Sequence, residues 1–595
     1  MSKETLYLKV AEDLQGNPGQ LDAYNSKEHC VVLAGPGSGK TKTLTLKLAK
    51  LLSEDIEEPR GIACITYNNE CAKELEQRLD ALGIEPSNRV FIGTVHSFSL
   101  TQIVIPYAKT AKLGLPDNFK VATLQEQRGA LERAFNKVIA RQDDPHRFWR
   151  NAMDKYRRSI LNRNSVQWRT QDPELANLVI AYENELRLQG LIDFDDMPLL
   201  ALRALRENSW LQKAILAKYP VLIVDEYQDL GHALHEMVVK LCFGVGMRLF
   251  AVGDADQSIY GFTGAHPELL QQLAERVDVE TVTLRFNYRC GSRIVLASEY
   301  ALGEERGYQA PEDADEGTIY FHPSTYLQEQ QADYIFSTIL PKALERMPGI
   351  SLGEIAILYP SAKVGDAISE AARKAGLAII RTDGNSLYPR SSRLMRWLED
   401  CALWCCNGWQ SGSPRFSKLI SEGNRIFLET LISDQQKLNF QRVLLKILWK
   451  RRNSTILLNQ WLININNELL SELFLGSRSL EEERLTLKRL IERTSENGSS
   501  SEMTLGQFSG YGEGNDRINL STLHSSKGRE FALVILFGMD AGQIPWNNAN
   551  ERETRESRRL FYVGFTRAKT ELHIMYTSNR PSRFVSEVQQ RLEQA

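Results

Sequence analysis

The segment CVVLAGPGSGKTKTLTLKLAK, Cys30 to Lys50, constrains this chain more than any other. An apolar run that reads as a buried strand ends in a glycine-rich turn, and a helical pattern begins at once. Gly35, Gly37 and Gly39 allow backbone N–H groups to close around phosphate oxygens, Lys40 reaches the terminal phosphates, and Thr41 offers a hydroxyl to Mg2+. Ala34, Gly35, Pro36, Gly37, Ser38, Gly39, Lys40, Thr41 and Lys42 are therefore candidate nucleotide-binding residues. The strand-before, helix-after context separates this turn from an arbitrary glycine-rich loop.

A second signal fits the first. In YPVLIVDEYQD, Tyr219 to Asp229, two acids follow a buried strand. A carboxylate there can hold Mg2+, usually through water, and Asp225 takes that role. Glu226 is placed to orient or deprotonate an attacking water. Arginines that reach a transferring phosphoryl group stabilise its charge, and Arg289 in FNYRC and Arg567 in FYVGFTRAK stand in distinctive contexts.

Strand-like runs alternate with helical patterns around these motifs, which argues for parallel sheets covered by helices. Six segments are expected: 1–98 and 191–278 as one core, 99–190 as its helical insertion, 279–387 and 513–595 as a second core, and 388–512 as a second helical insertion. No stretch approaches a membrane span, and the N-terminus lacks a signal-peptide apolar region. Eight cysteines form no disulfide framework. Cys401 and Cys405 would share a helix face as buried thiols, and reduced thiols fit a cytoplasmic protein.

The net charge is −3, so any nucleic-acid surface must be local. One candidate is RFWRNAMDKYRRSILNRNSVQWR, Arg147 to Arg169, with seven cations, one acid and Trp149, Tyr156 and Trp168 interleaved. Such an arm suits a contact with duplex or single-stranded DNA; the alternative is a solvated helix face.

Ten ordered segments, spanning nearly the whole chain, together resemble the UvrD/Rep branch of superfamily 1 helicases. They are GQLDAY (Gly19 to Tyr24), AGPGSGKT, ITYNNECAKEL (Ile65 to Leu75), GTVHSF (Gly93 to Phe98), LIDFDDM (Leu191 to Met197) with DEYQD, GDADQSIYGFTGA (Gly253 to Ala265), FNYRC, STLHSSKGREF (Ser521 to Phe531) and RRLFYVGFTRAKTEL (Arg558 to Leu572). The resemblance implies an α/β fold of two RecA-like (P-loop NTPase) parallel-sheet cores, each with a mostly helical insertion. It implies that Gln20 reads adenine, Tyr288 stacks on it, Gln257 senses the γ-phosphate and Glu530 faces the nucleotide. Arg289 and Arg567 would approach the γ-phosphate from the second core. Tyr67, Asn68, His96, Phe194, Tyr260, Phe262 and His524 would contact DNA.

The activity implied is Mg2+-ATP hydrolysis driving 3′ to 5′ movement on single-stranded DNA and unwinding of tailed duplexes. A DNA-stimulated ATPase that strips nucleoprotein without processive unwinding is the alternative, and a separate nuclease or repair protein stays open as a partner. Repair, replication restart and phage defence are all served by such relatives. Two departures stand out. Lys42 occupies a place often held by arginine, and YGFTGA carries Gly261 and Thr263 where the family commonly has arginines.

Overall fold

A computed structural model describes residues 6–594 of the protein, apart from 67–68, 85–88, 262–263, 476, 478–479, 499 and 511–515. The chain divides into two compact units. The first comprises Met1–Gly317, Asn548–Thr566 and Gln590–Ala595, and the second Thr318–Asn547 and Arg567–Gln589.

The first unit is built on six parallel strands: β1 Cys30–Ala34, β2 Ile62–Thr66, β3 Val90–Thr94, β4 Val221–Val224, β5 Arg248–Gly253 and β6 Glu280–Leu284. Their order is β3-β2-β4-β5-β1-β6. The central strands are continuous apolar runs because both faces of the sheet are covered. Successive side chains alternate between those faces. Val31, Ala63, Ile65, Leu222 and Val224 join one core. Cys30, Val32, Cys64, Val221 and Ile223 join the other.

The boundary expected at residue 279 is corrected by this sheet. β6 pairs in parallel with β1, from Cys30↔Glu280 to Ala34↔Leu284, and the chain through Gly317 stays with the first unit. β6 is an edge strand in which Val282 and Leu284 are buried while Glu280, Thr281 and Thr283 are exposed. A half-polar edge strand breaks the pattern of the buried centre, so in sequence it looks like the start of a new sheet.

The second unit holds another all-parallel sheet: β7 Thr318–Ser324, β8 Ile355–Tyr359, β9 Ile379–Arg381, β10 Ile518–Thr522, β11 Phe531–Leu536 and β12 Ala568–Thr577. The order is β9-β10-β8-β11-β12-β7. Each sheet carries a mostly helical excursion with a core of its own. In the first unit, helices Leu124–Val138 and Pro173–Leu188 pack around Leu131, Phe135, Trp168, Tyr182 and Leu186. In the second, Trp397, Leu444, Trp461, Leu490 and Phe508 centre the cluster. Cys401 and Cys405 lie inside that cluster as free thiols, as expected.

Ile223 is fully buried in the middle of β4, one residue before the strand turns toward Asp225. Ile223→Ala should cost about 2–5 kcal/mol. Urea unfolding should show this as a lower midpoint with an unchanged slope.

Candidate functional site

β1, β4 and β5 are adjacent and parallel, so their carboxyl ends lie side by side. Crevices at such ends are where open α/β sheets bind ligands. The glycine-rich loop leaves β1 there, Asp225 follows β4, and Asp254 follows β5. Gly37 and Gly39 have positive φ (68° and 80°), which turns successive N–H groups toward one concavity. Helix Lys40–Lys50 starts at Gly39 with no side chain capping it, so its first-turn donors suit an anion.

The loop is packed from both sides. A Cβ on Gly37 would lie 2.3 Å from Asn287 Oδ1, and one on Gly39 2.4 Å from Gln20 Nε2. Gln20 is buried, and its Nε2 donates to the Ser38 carbonyl at 2.8 Å. Asn17 Oδ1 accepts from the Gln20 amide at 3.0 Å, and its Nδ2 donates to the Tyr288 hydroxyl. Tyr288 N–H donates to the Gly37 carbonyl at 2.9 Å while its ring stays exposed. Gln20, the loop, Tyr288 and Arg289 therefore converge. Lys42 instead forms an exposed ion pair with Asp13 at 3.3 Å.

Lys47, one turn beyond Thr43 in the helix after the loop, ties the Gln20 helix to it. Its buried Nζ donates to the Tyr24 carbonyl at 2.9 Å and to the Ser26 carbonyl. Burial lowers this ammonium to about 8.

The acids crowd around Lys40. Its Nζ lies 3.7 Å from Asp254 Oδ2. Burial, and then the charge of Glu226, push the Asp225 carboxyl up to about 7, against the pull of Lys40. Burial likewise pushes Asp254 up to about 6, again opposed by Lys40. Carboxylates held in this way gain from a divalent cation, and the donor set suits Mg2+ held by one carboxylate, the Thr41 hydroxyl, phosphate oxygens and water. Among the described residues no group of three or more His, Cys, Asp or Glu is arranged to hold a metal ion.

Glu226 adopts φ 51°, a left-handed backbone that costs a non-glycine residue roughly 1 kcal/mol or more. The fully buried Gln228 holds it there. Gln228 Nε2 donates to Glu226 Oε2, its Oε1 accepts from the Asp254 amide at 2.9 Å, and its carbonyl accepts from Ser258 Oγ at 3.1 Å. Gln257 Nε2 donates to Asp254 Oδ2 at 2.6 Å. Lys40, Asp225, Glu226, Asp254 and Gln257 thus belong to one polar cluster. Gln228, Asp254 and Asn287 lie within motifs already quoted, but spacing alone does not show which side chains turn inward.

Arg289 is corrected with the domain boundary. It belongs to the first unit, and its Cβ would lie 2.7 Å from a Cβ on Gly37. The cause is topological: β6 is parallel to β1, so the chain leaves it at the same end as the loop. Arg567 and Glu530 belong to the second unit, just before β12 and β11. Arg567 is buried and donates to the Arg529 carbonyl at 3.1 Å, while Glu530 pairs with Lys569 at 2.7 Å.

Of the residues expected to contact DNA, Tyr67, Asn68 and Phe262 lie outside the described residues. His96 follows β3 and meets Phe194 edge-on, with ring centroids 5.8 Å apart. Phe194 is 60% exposed, between the buried Asp193 and the partly buried Asp195. Tyr260 is half-exposed beyond β5. His524, in the second unit, follows the carboxyl end of β10.

LIDFDDM folds as a clamp that presents Phe194. Asp193 and Asp196 cap one another, each accepting the other's amide at 2.9 Å. Both carboxylates bind Arg157, Asp193 at 2.7 Å and Asp196 at 2.5 Å, and Glu183 takes the third side at 2.7 Å. Arg157 is wholly buried.

This corrects the reading of 147–169 as a free basic arm. Arg150 pairs with Asp154, Arg158 with Asp195, and Arg163 with Glu183. Tyr156 and Trp168 are buried in the insertion's core. Only Arg147, Lys155 and Arg169 of its cations are well exposed. Apart from Asp154, the neutralising acids lie at 183 and 193–196, outside the segment itself.

Comparison with known proteins agrees with this geometry. Residues 16–278 match the UvrD/REP helicase N-terminal domain, and residues 427–579 match the UvrD-like helicase C-terminal domain. The chain belongs to the UvrD/Rep family of ATP-hydrolysing DNA helicases, with two RecA-like cores. It is 28% identical to the ATP-dependent DNA helicase Rep of Escherichia coli (strain K12), over 96% of this chain and 94% of that one. It is 26% identical to Rep of Buchnera aphidicola subsp. Baizongia pistaciae, over 94% and 92%. It is 24% identical to the ATP-dependent DNA helicase PcrA of Staphylococcus epidermidis (strain ATCC 35984), over 96% and 86%.

Two outcomes are expected. Arg157→Ala strands two buried carboxylates and should lower stability by about 3–5 kcal/mol, whereas exposed Lys155→Ala should change it by less than about 0.5 kcal/mol. Denaturant titration compares them. A cation held by Asp225 would compete with its proton, so Mg2+-nucleotide affinity should rise as pH increases from about 6 to about 8. A fluorescent-nucleotide titration in Mg2+ checks the direction.

Proposed function

We propose that this protein hydrolyses Mg2+-ATP when bound to single-stranded DNA, moves 3′ to 5′ along it and unwinds tailed duplexes. The observation that carries the reading is the convergence at one sheet end. Lys40, Asp225, Glu226 and Gln257 share one polar cluster, and the exposed Phe194, packed against the half-buried His96, stands on the same unit.

In this reading the loop amides of residues 35–41 and Lys40 bind the phosphates. Gln20 reads the adenine edge and Tyr288 stacks on its face. Mg2+, held by Thr41 and Asp225, would neutralise charge on the phosphate oxygens. Glu226, fixed by Gln228, orients and deprotonates the water, and Arg289 stabilises the developing charge. Gln257 responds to the γ-phosphate and passes that response to Asp254, with which it is hydrogen-bonded. Arg567 is the second arginine proposed for turnover, and Glu530 a second nucleotide-facing acid. Phe194, Tyr260, His96 and His524 supply rings on which bases stack, each worth about 1–3 kcal/mol. The direction of movement rests on family membership.

Lys40→Ala should abolish ATP turnover while retaining strand binding. Phosphate release with and without oligo-dT reads the first and anisotropy of a labelled oligonucleotide the second. Brisk hydrolysis by this variant would refute the site. Strand displacement should occur from duplexes with 3′ tails and not from those with 5′ tails. ATP turnover without displaced strand from either substrate would identify a translocating ATPase instead.

A further inference from the structure

The proposed function leaves one sequence feature unused: WKRR, Trp449 to Arg452, where helix Asp434–Lys450 ends in the second helical insertion. Between Gln435 and Asn453 the chain has six cations and no acid, although the protein as a whole is slightly acidic. The helix buries Phe440, Leu444, Ile447 and Leu448. Its other face presents Arg442, Leu445, Lys446, Trp449 and Lys450. These recur at i, i+3, i+4, i+7 and i+8, forming one stripe about 12 Å long.

Leu445 is 42% exposed and Trp449 52%. Arg442, Lys446 and Lys450 form no ion pair among the described residues, in contrast to Arg451, which pairs with Glu468. The stripe ends on a built platform. The Arg452 guanidinium lies 3.4 Å from the Trp449 ring centre and 4.3 Å from that of Trp409. Its Nε donates to the Trp449 carbonyl at 2.8 Å. The two indoles meet edge-to-face with centroids 5.8 Å apart. Two tryptophans and an arginine, already ordered by one another, are the residue types that anchor interfaces, and their ordering lowers the entropy lost on binding.

We propose that this stripe docks an acidic, amphipathic segment of a partner protein. Carboxylates of the segment pair with Arg442, Lys446 and Lys450, and its apolar side chains cover Leu445 and the Trp409–Trp449 pair. Nucleic acid would satisfy the cations and stack on the indoles, but it offers nothing to desolvate a leucine set between them. A peptide helix with apolar anchors at i, i+3 or i+4 and i+7 offers both.

The test uses the full-length protein and a displayed library of random peptides about 16 residues long. Selection should enrich acidic peptides carrying apolar anchors at helical spacing. Their affinity, read by anisotropy, should fall with salt and drop at least about tenfold in Trp449→Ala and in Lys446→Glu. Lys446 is exposed and unpaired among the described residues, so Lys446→Glu should leave the melting temperature unchanged, and neither substitution should change the DNA-stimulated ATPase. The proposal is overturned if no acidic peptide is enriched, or if those recovered bind both variants as well as the parent. It is also overturned if the variants weaken binding of oligo-dT or a blunt duplex, which would make the stripe a DNA contact. Loss of a concentration-dependent dimer in sedimentation would make it a self-interface.

Discussion

Lys40 is the cation that buried carboxylates share, and much of the first unit is arranged around it. One ammonium opposes the burial that pushes Asp225 and Asp254 above the ordinary carboxylate range. A buried cluster with this excess of acid is poorly compensated by protein alone. A divalent cation and a phosphate chain would complete it, the cation offsetting the acids and the loop amides receiving the anion. The strain at Glu226 belongs to the same arrangement: a left-handed acid is tolerated because Gln228 bonds it to Asp254, just beyond β5.

The parallel sheet is what makes that arrangement reachable. Residues almost two hundred positions apart, Lys40 and Asp225, come together because β1, β5 and β4 run the same way and end at the same level. The edge strand β6 extends the rule, delivering Asn287, Tyr288 and Arg289 to the same side of the loop. A second buried charge set, Arg157 with Glu183, Asp193 and Asp196, fastens the helical insertion to the segment that exposes Phe194. An arginine with three acidic partners fixes orientation more firmly than an apolar contact, because no rotated pose satisfies all of them.

Much of this was legible in the sequence. The strand–glycine–helix run, DEYQD and the ordered motifs specified the fold class and named the first-unit residues that the fold brings together as the candidate nucleotide site, since those motifs depend on local spacing. Two expectations failed for identifiable reasons. Residue 279 looked like a new core because an edge strand exposes one face and loses the continuous apolar run. Residues 147–169 looked like a free basic arm because their counter-charges are supplied from another helix and loop.

Sequence by itself determined which residues can do chemistry here: a phosphate-cradling loop, its lysine, two strand-end acids and a set of aromatic rings. Only the tertiary structure decided which charges are spent internally and which remain available. Arg157 and Lys446 both sit in basic, aromatic stretches, yet one is buried among three carboxylates and the other faces solvent. Local composition is read along the chain, whereas neutralisation and burial are settled by whatever other segment the fold packs against it.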